Sequence, residues 1–126
     1  MTLVLDAGAF VAIEKGDRSM WRRLKSAQIA GSPPTTHGGV VAQVWRGGGG
    51  RQAQLARFLR AIEIVPLDDQ MARRAGVLLA RTRRTDAIDA AVVALAMNED
   101  QIATSDQDDI AELIEASGLR IDLIPV

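Results

Sequence analysis

Short runs of strand-forming residues alternate with helical stretches along the whole sequence, and this alternation restricts the fold more than any other feature. Leu3-Val4-Leu5 reads as a first strand, Ser32 to Thr35 as a second and Ile62 to Val65 as a third, closed by Pro66. Gln101 to Thr104 reads as a fourth and Arg120 to Ile124 as a fifth. Pro33-Pro34 confines the second strand to an edge or a short extent, because proline cannot donate to a ladder. Helical segments fill the gaps. One runs from Gly8 to Lys15, and a second is capped by Asp17 or Ser19 with Met20, Leu24 and Ala27 on one face. A third opens at Thr36 or His37 and carries Val40, Val41, Val44 and Trp45; a fourth carries Leu55, Phe58 and Leu59. A long helix from Asp68 shows the stripe Met71, Ala75, Leu78 and Leu79. Asp86 to Ala96 is almost wholly apolar after its first turn, which marks a buried helix, and Ile110 to Ala116 is the last. Strands that alternate with helices imply a parallel sheet covered by helices on both faces.

The length of 126 residues suits one domain spanning 1–126, and there is no internal repeat or linker. Aromatic residues are only 3% of the chain, so Ala, Val, Ile and Leu must build the core. The absence of cysteine excludes a disulfide framework, a thiolate zinc site and a thiol nucleophile, and it suits a reducing cytoplasm. The one histidine, His37, excludes a two-histidine acid–base pair within a chain and reads as a helix-start residue. Asp6 interrupts the N-terminal apolar run too early for a signal-peptide core, and Ala90 to Asn98 is too short to span a bilayer, so no membrane association is expected. With 15 basic and 16 acidic residues, no global field attracts nucleic acid. Thirteen of the basic residues are arginine, a side chain suited to forked contacts with phosphate or carboxylate, although GC-rich coding yields the same composition.

The positions of the acids carry the functional argument. Asp6 directly follows the first strand and Asp106 lies two residues beyond the fourth. Ligands of open parallel sheets bind beyond the carboxyl ends of strands where the strand order reverses, so neighbouring first and fourth strands would aim both acids into one crevice. Asp89, in the first turns of the buried helix, can enter from the side. Carboxylates crowded in such a pocket repel one another and protonate unless a cation neutralises them. Oxygen donors select a hard ion, Mg²⁺ or Mn²⁺, which can activate water for phosphodiester hydrolysis.

The segments LVLDAGAF, VVAQVWRGG, DAIDAAVVALA and IATSDQDDI follow the order and spacing of PIN domains of the VapC type. The chain resembles that family over about residues 3 to 113. The resemblance implies a three-layer α/β/α sandwich with a parallel five-stranded sheet. It also implies an Mg²⁺-dependent endoribonuclease acting as the toxin of a type II toxin–antitoxin pair. The expected partners are an RNA substrate, a small cognate antitoxin and a second copy of the chain in a homodimer. The family's acids correspond to Asp6, Asp89 and Asp106 as catalytic residues, with Asp6 and Asp89 on the metal. Asp86 is the alternative register for Asp89. Thr104 and Ser105 are polar neighbours, and Asp109 or Asp108 is a more peripheral acid of that loop.

Two departures from the family pattern stand out. Gln43 occupies the place of the usual glutamate in the helix after the second strand, and Glu14 is a candidate to compensate. Ala7 and Gly8 supply no hydroxyl after the first aspartate, where the family often has one. Gly47 to Gly50 read as a mobile rim to the cleft, since no Lys-Ser/Thr follows and no strand precedes. Trp21 and Trp45 sit on apolar helix faces suited to core or partner packing. Arg46, Arg51, Arg81, Arg83 and Arg84 flank loops near the expected cleft mouth, and Arg46, Arg51 and Arg84 are candidate contacts to RNA phosphates. Two alternative readings remain: a phosphoacceptor receiver domain, disfavoured because no lysine follows Lys25, and a catalytically weak PIN-like module binding RNA or protein, which Gln43 favours.

Overall fold

The computed structural model describes residues 1–126. Five parallel strands form one sheet in the order β3-β2-β1-β4-β5, with β1 Leu3–Leu5, β2 Thr35–His37, β3 Glu63–Val65, β4 Gln101–Thr104 and β5 Asp122–Pro125. The chain winds outward from β1 through β2 to β3, then returns across the sheet to β4 on the other side of β1. Right-handed crossovers running in opposite directions place their helices on opposite faces. One helical layer accordingly contains α1 (Ala7–Glu14), α2 (Arg18–Ile29), α3 (Gly38–Val44) and α4 (Ala53–Leu59), and the other contains α5 (Asp69–Thr82), α6 (Ala87–Leu95) and α7 (Gln107–Ser117). This is the three-layer α/β/α sandwich expected from the sequence.

Burial explains the central strands. Leu3, Val4 and Leu5 are covered on both faces, as a continuous apolar run in a parallel sheet should be. Apolar side chains of both helical layers, including Phe10, Ile13, Met71, Val92, Val93 and Ile110, complete a core of 24 buried residues. Four helices start on aspartates that satisfy free first-turn N–H groups, among them Asp17, which accepts from Met20 at 2.9 Å, Asp68 from Met71 at 2.9 Å and Asp86 from Ile88 at 2.9 Å.

The second strand differs most from expectation. It begins at Thr35 instead of Ser32, because Pro33-Pro34 form the lead-in and the ladder starts where N–H groups become available. Its residues Thr35, Thr36 and His37 are polar yet buried, a pattern that does not read as a central strand. Each finds a backbone partner: Thr35 Oγ1 donates to Glu63 O (3.2 Å) and Thr36 Oγ1 to Leu5 O (2.7 Å), while His37 engages both ring nitrogens. At the other end of the chain β5 starts two residues later than expected and ends one later, and α7 starts three residues earlier, immediately after Asp106.

Candidate active site

The strand order reverses between β1 and β4, which pair in register with Leu5 opposite Ala103. The next residues, Asp6 and Thr104, therefore face each other at the carboxyl end of the sheet. Asp6 is 4% exposed. Its Oδ1 accepts from Ala7 N (2.7 Å), capping α1, and its Oδ2 accepts from Thr104 Oγ1 (2.7 Å). The same hydroxyl accepts from Asp106 N at 2.9 Å, so Thr104 ties Asp6 to the start of α7. Gly8 allows a further approach: a Cβ there would lie 2.9 Å from Ser105 N. The missing hydroxyl after Asp6 is thus replaced by close packing of α1 on the β4–α7 loop.

Asp89 enters from α6, buried, with its backbone N–H held by Asp86 Oδ1 at 3.1 Å. Carboxylate oxygens of Asp89, Asp106 and Asp109 all lie within 4.8 Å of one another. Burial pushes Asp89 up to about 8, reinforced by the charges of Asp6, Asp86 and Asp106 and by a hydrogen bond to Asp106 that only the protonated acid can donate. Burial also raises Asp6, against the lowering effect of its hydrogen bonds from Thr104 and Ala7. In the absence of a cation, burial and the surrounding charges favour the protonated form of Asp89.

Alongside this sheet and its gathered carboxylates, the sequence itself matches the family model of the PIN domain over residues 3–115. The chain belongs to the PIN-domain family. Among solved structures, it is similar to a chain of VapBC2 from Rickettsia felis bound to a DNA fragment from their promoter, with a TM-score of 0.73 at 17% identity, covering 98% of this chain and 99% of that one. It is also similar to a chain of FitAB bound to the IR36 DNA fragment, with a TM-score of 0.64 at 15% identity, covering 97% and 94%. At these identities the likeness is one of fold. No curated protein sequence matches the chain.

The donor set of this PIN domain fits a hard divalent cation. Three carboxylates supply oxygen only, and two oxygens bound to one Mg²⁺ at about 2.1 Å are at most about 4.2 Å apart, close to the 4.8 Å within which these oxygens lie. A proton held at neutral pH by a crowded acid is what a cation would displace. Asp6 stands behind the trio: both its oxygens accept hydrogen bonds, and its charge is the strongest of those acting on Asp89.

The remaining sequence candidates divide clearly. Asp86 is exposed and serves as the α6 cap. Asp109, expected to be peripheral, joins the trio, and it also pairs with Arg84 at 2.6 Å. Arg84 additionally donates through Nε to Glu112 Oε2 at 2.7 Å, and it lines a cavity of about 210 Å³ with Asp86, Asp89 and Asp109. Glu112 was not singled out from the sequence; its spacing of three from Asp109 on α7 was the available signal. Gln43 is exposed near the end of α3. Glu14 lies eight residues along α1 from Asp6, about 12 Å of helix rise, and accepts from Gln52 Nε2 at 3.4 Å. Arg46 folds back onto Ala42 O (3.0 Å) and Trp45 O (2.7 Å), whereas Arg51 lies exposed in a 3-10 turn at Gly50–Gln52. The glycine loop closes around Gln52, whose Oε1 accepts from Arg46 N and Gly48 N. Trp21 packs edge-on against Phe58 in the core, with ring centroids 6.1 Å apart, and Trp45 covers Gly48 at the surface.

Proposed function

We propose that the chain is a Mg²⁺- or Mn²⁺-dependent endoribonuclease, the toxin of a type II toxin–antitoxin pair. The observation that carries the reading is the convergence of Asp89, Asp106 and Asp109 beside Asp6 at the strand-order switch. PIN domains are generally nucleases, which supports phosphodiester hydrolysis at this site. Asp89, Asp106 and Asp109 would hold the ion, with Asp6 adding negative charge behind them. An ion held there would activate a water and neutralise charge developing on the phosphate. Asp6, fixed by Thr104 and Ala7, orients the end of β1 against α7, while the cavity beside Arg84 gives the scissile phosphate room to approach.

The structural likeness to chains of VapBC2 and FitAB supports an antitoxin partner. No helix is long and apolar enough to cross a membrane, and a cytoplasmic site of action is the simplest setting for a nuclease without cysteine. Incubation of the purified chain with RNA in Mg²⁺, Mn²⁺ or EDTA tests the chemistry, and expression of the chain alone tests the toxin role. Cleavage restricted to the metal conditions, with arrested bacterial growth, is expected. Binding of RNA without cleavage would instead favour the weakly catalytic module that exposed Gln43, in place of a glutamate, makes the second reading.

A further inference from the structure

We infer that His37 is a positioning residue for Asp89, a neutral imidazole fixed in one tautomer that holds the first turn of α6 at the acidic pocket. The inference rests on the metal-site reading above. His37 ends β2, caps α3 and is fully buried. Its Nδ1 lies 3.0 Å from Gly39 N, and a backbone N–H can only donate, so Nδ1 carries the lone pair. The proton is then on Nε2, which donates to Ile88 O at 3.1 Å.

That carbonyl belongs to the peptide group joining Ile88 to Asp89. The N–H of the same peptide donates to Asp86 Oδ1 at 3.1 Å, so the peptide that carries Asp89 is gripped on both sides. Packing enforces the arrangement. A Cβ at Gly39 would come within 2.6 Å of Ile88 Cδ1 and 2.8 Å of His37 Cε1, so the ring, the glycine and Ile88 fill the space between α3 and α6.

The preceding residue does the parallel task for the other acid. Thr36 Oγ1 donates to Leu5 O at 2.7 Å, the carbonyl of the peptide leading into Asp6. Two successive residues of β2 therefore hold the peptides that lead into the two buried acids of the pocket. Burial lowers the affinity of His37 for a second proton, which preserves the acceptor at Nδ1, and the Asp6 charge reaches the ring. A phenyl ring could fill the volume but could not hold Ile88, and an asparagine could cap α3 but is too short to span the gap.

The test follows the ring itself. The Nε2–H proton of His37 in the full chain should shift in NMR spectra as Mg²⁺ is added, with the same midpoint as calorimetric Mg²⁺ binding, and should stay still in Asp89→Asn. His37→Asn, which keeps a capping oxygen for Gly39, should remain folded and bind Mn²⁺ about tenfold more weakly, on the order of one loosened charge-assisted contact. A proton that does not move while Mg²⁺ binds the wild type, or unchanged Mn²⁺ affinity in a folded His37→Asn, would overturn the inference and leave the metal site standing. Absence of any saturable Mg²⁺ binding to the wild type would overturn both. If His37→Asn fails to fold, the wild-type NMR response decides the matter.

Discussion

Thr104 Oγ1 donates to Asp6 Oδ2 at 2.7 Å, across the two strands where the order of the sheet reverses. This bond joins the end of β1 to the end of β4, and through Asp106 N it continues into α7. The elements that bear Asp6, Asp106 and Asp109 are thereby locked to one another before any ion binds.

Thr104→Val keeps the shape and removes the link. Asp6 Oδ2 is then left buried without its donor, at a cost of roughly 1–3 kcal/mol. Denaturant unfolding should show this loss, and metal titration should show weakened affinity because α7 is no longer tethered to Asp6. Thr104→Ser, which restores the hydroxyl, should recover most of both.

The acidity of Asp89 gives stability a particular pH dependence. Its folded-state value, pushed up to about 8, lies above the ordinary 3.8. The folded protein therefore holds a proton that the unfolded chain releases, and metal-free stability falls as pH rises from about 4 to about 8. Below that window both states are protonated, and above it both are ionised. Asp89→Asn removes the buried charge, so the metal-free variant should exceed the wild type in thermal stability above about pH 8, with the gap closing toward about pH 4. Thermal melts across that range in EDTA measure it, and added Mg²⁺ should reverse the ranking at high pH.

Arg84 competes for Asp109. Its pairs with Asp109 and Glu112 involve side chains 35–43% exposed, so Arg84→Gln should leave stability nearly unchanged. Removing the positive charge frees a carboxylate of the trio, so Mn²⁺ should bind more tightly at low ionic strength. Titration at low and high salt tests this, because the gain should shrink as screening increases.

Gln43 and Glu14 make opposite predictions. Gln43→Glu adds a carboxylate to the exposed face of α3 and should tighten Mg²⁺ binding modestly, by an amount that shrinks as salt is added. Glu14 is engaged by Gln52 and stands well along α1 from Asp6, so Glu14→Gln should leave the affinity unchanged. Calorimetric titration of both variants checks the pair of expectations. Weaker binding in Glu14→Gln would return that residue to the metal site.

Periodicity and capping made most of this architecture legible in the sequence. Leu3-Val4-Leu5 before Asp6, and the apolar run after Asp89, each follow directly from burial, and the aspartate caps mark where helices begin. What escaped the reading was polar residues inside the core. Thr35, Thr36 and His37 form a central strand because each satisfies its polar atoms on a neighbouring carbonyl or helix start, a compensation that only the folded structure reveals. The roles of Asp109 and Arg84 escaped for a related reason. An arginine near a cleft reads as a phosphate contact until its carboxylate partners, 25 and 28 residues away in the chain, are brought beside it.

The most direct test of the central claim compares RNA cleavage by wild type and Asp89→Asn, with Mg²⁺ and with EDTA, after circular dichroism has shown both to be folded. The account predicts cleavage by the wild type in Mg²⁺, none in EDTA and none by the variant in either condition. Wild-type cleavage that persists in EDTA, or full Mg²⁺-dependent activity in Asp89→Asn, would contradict it.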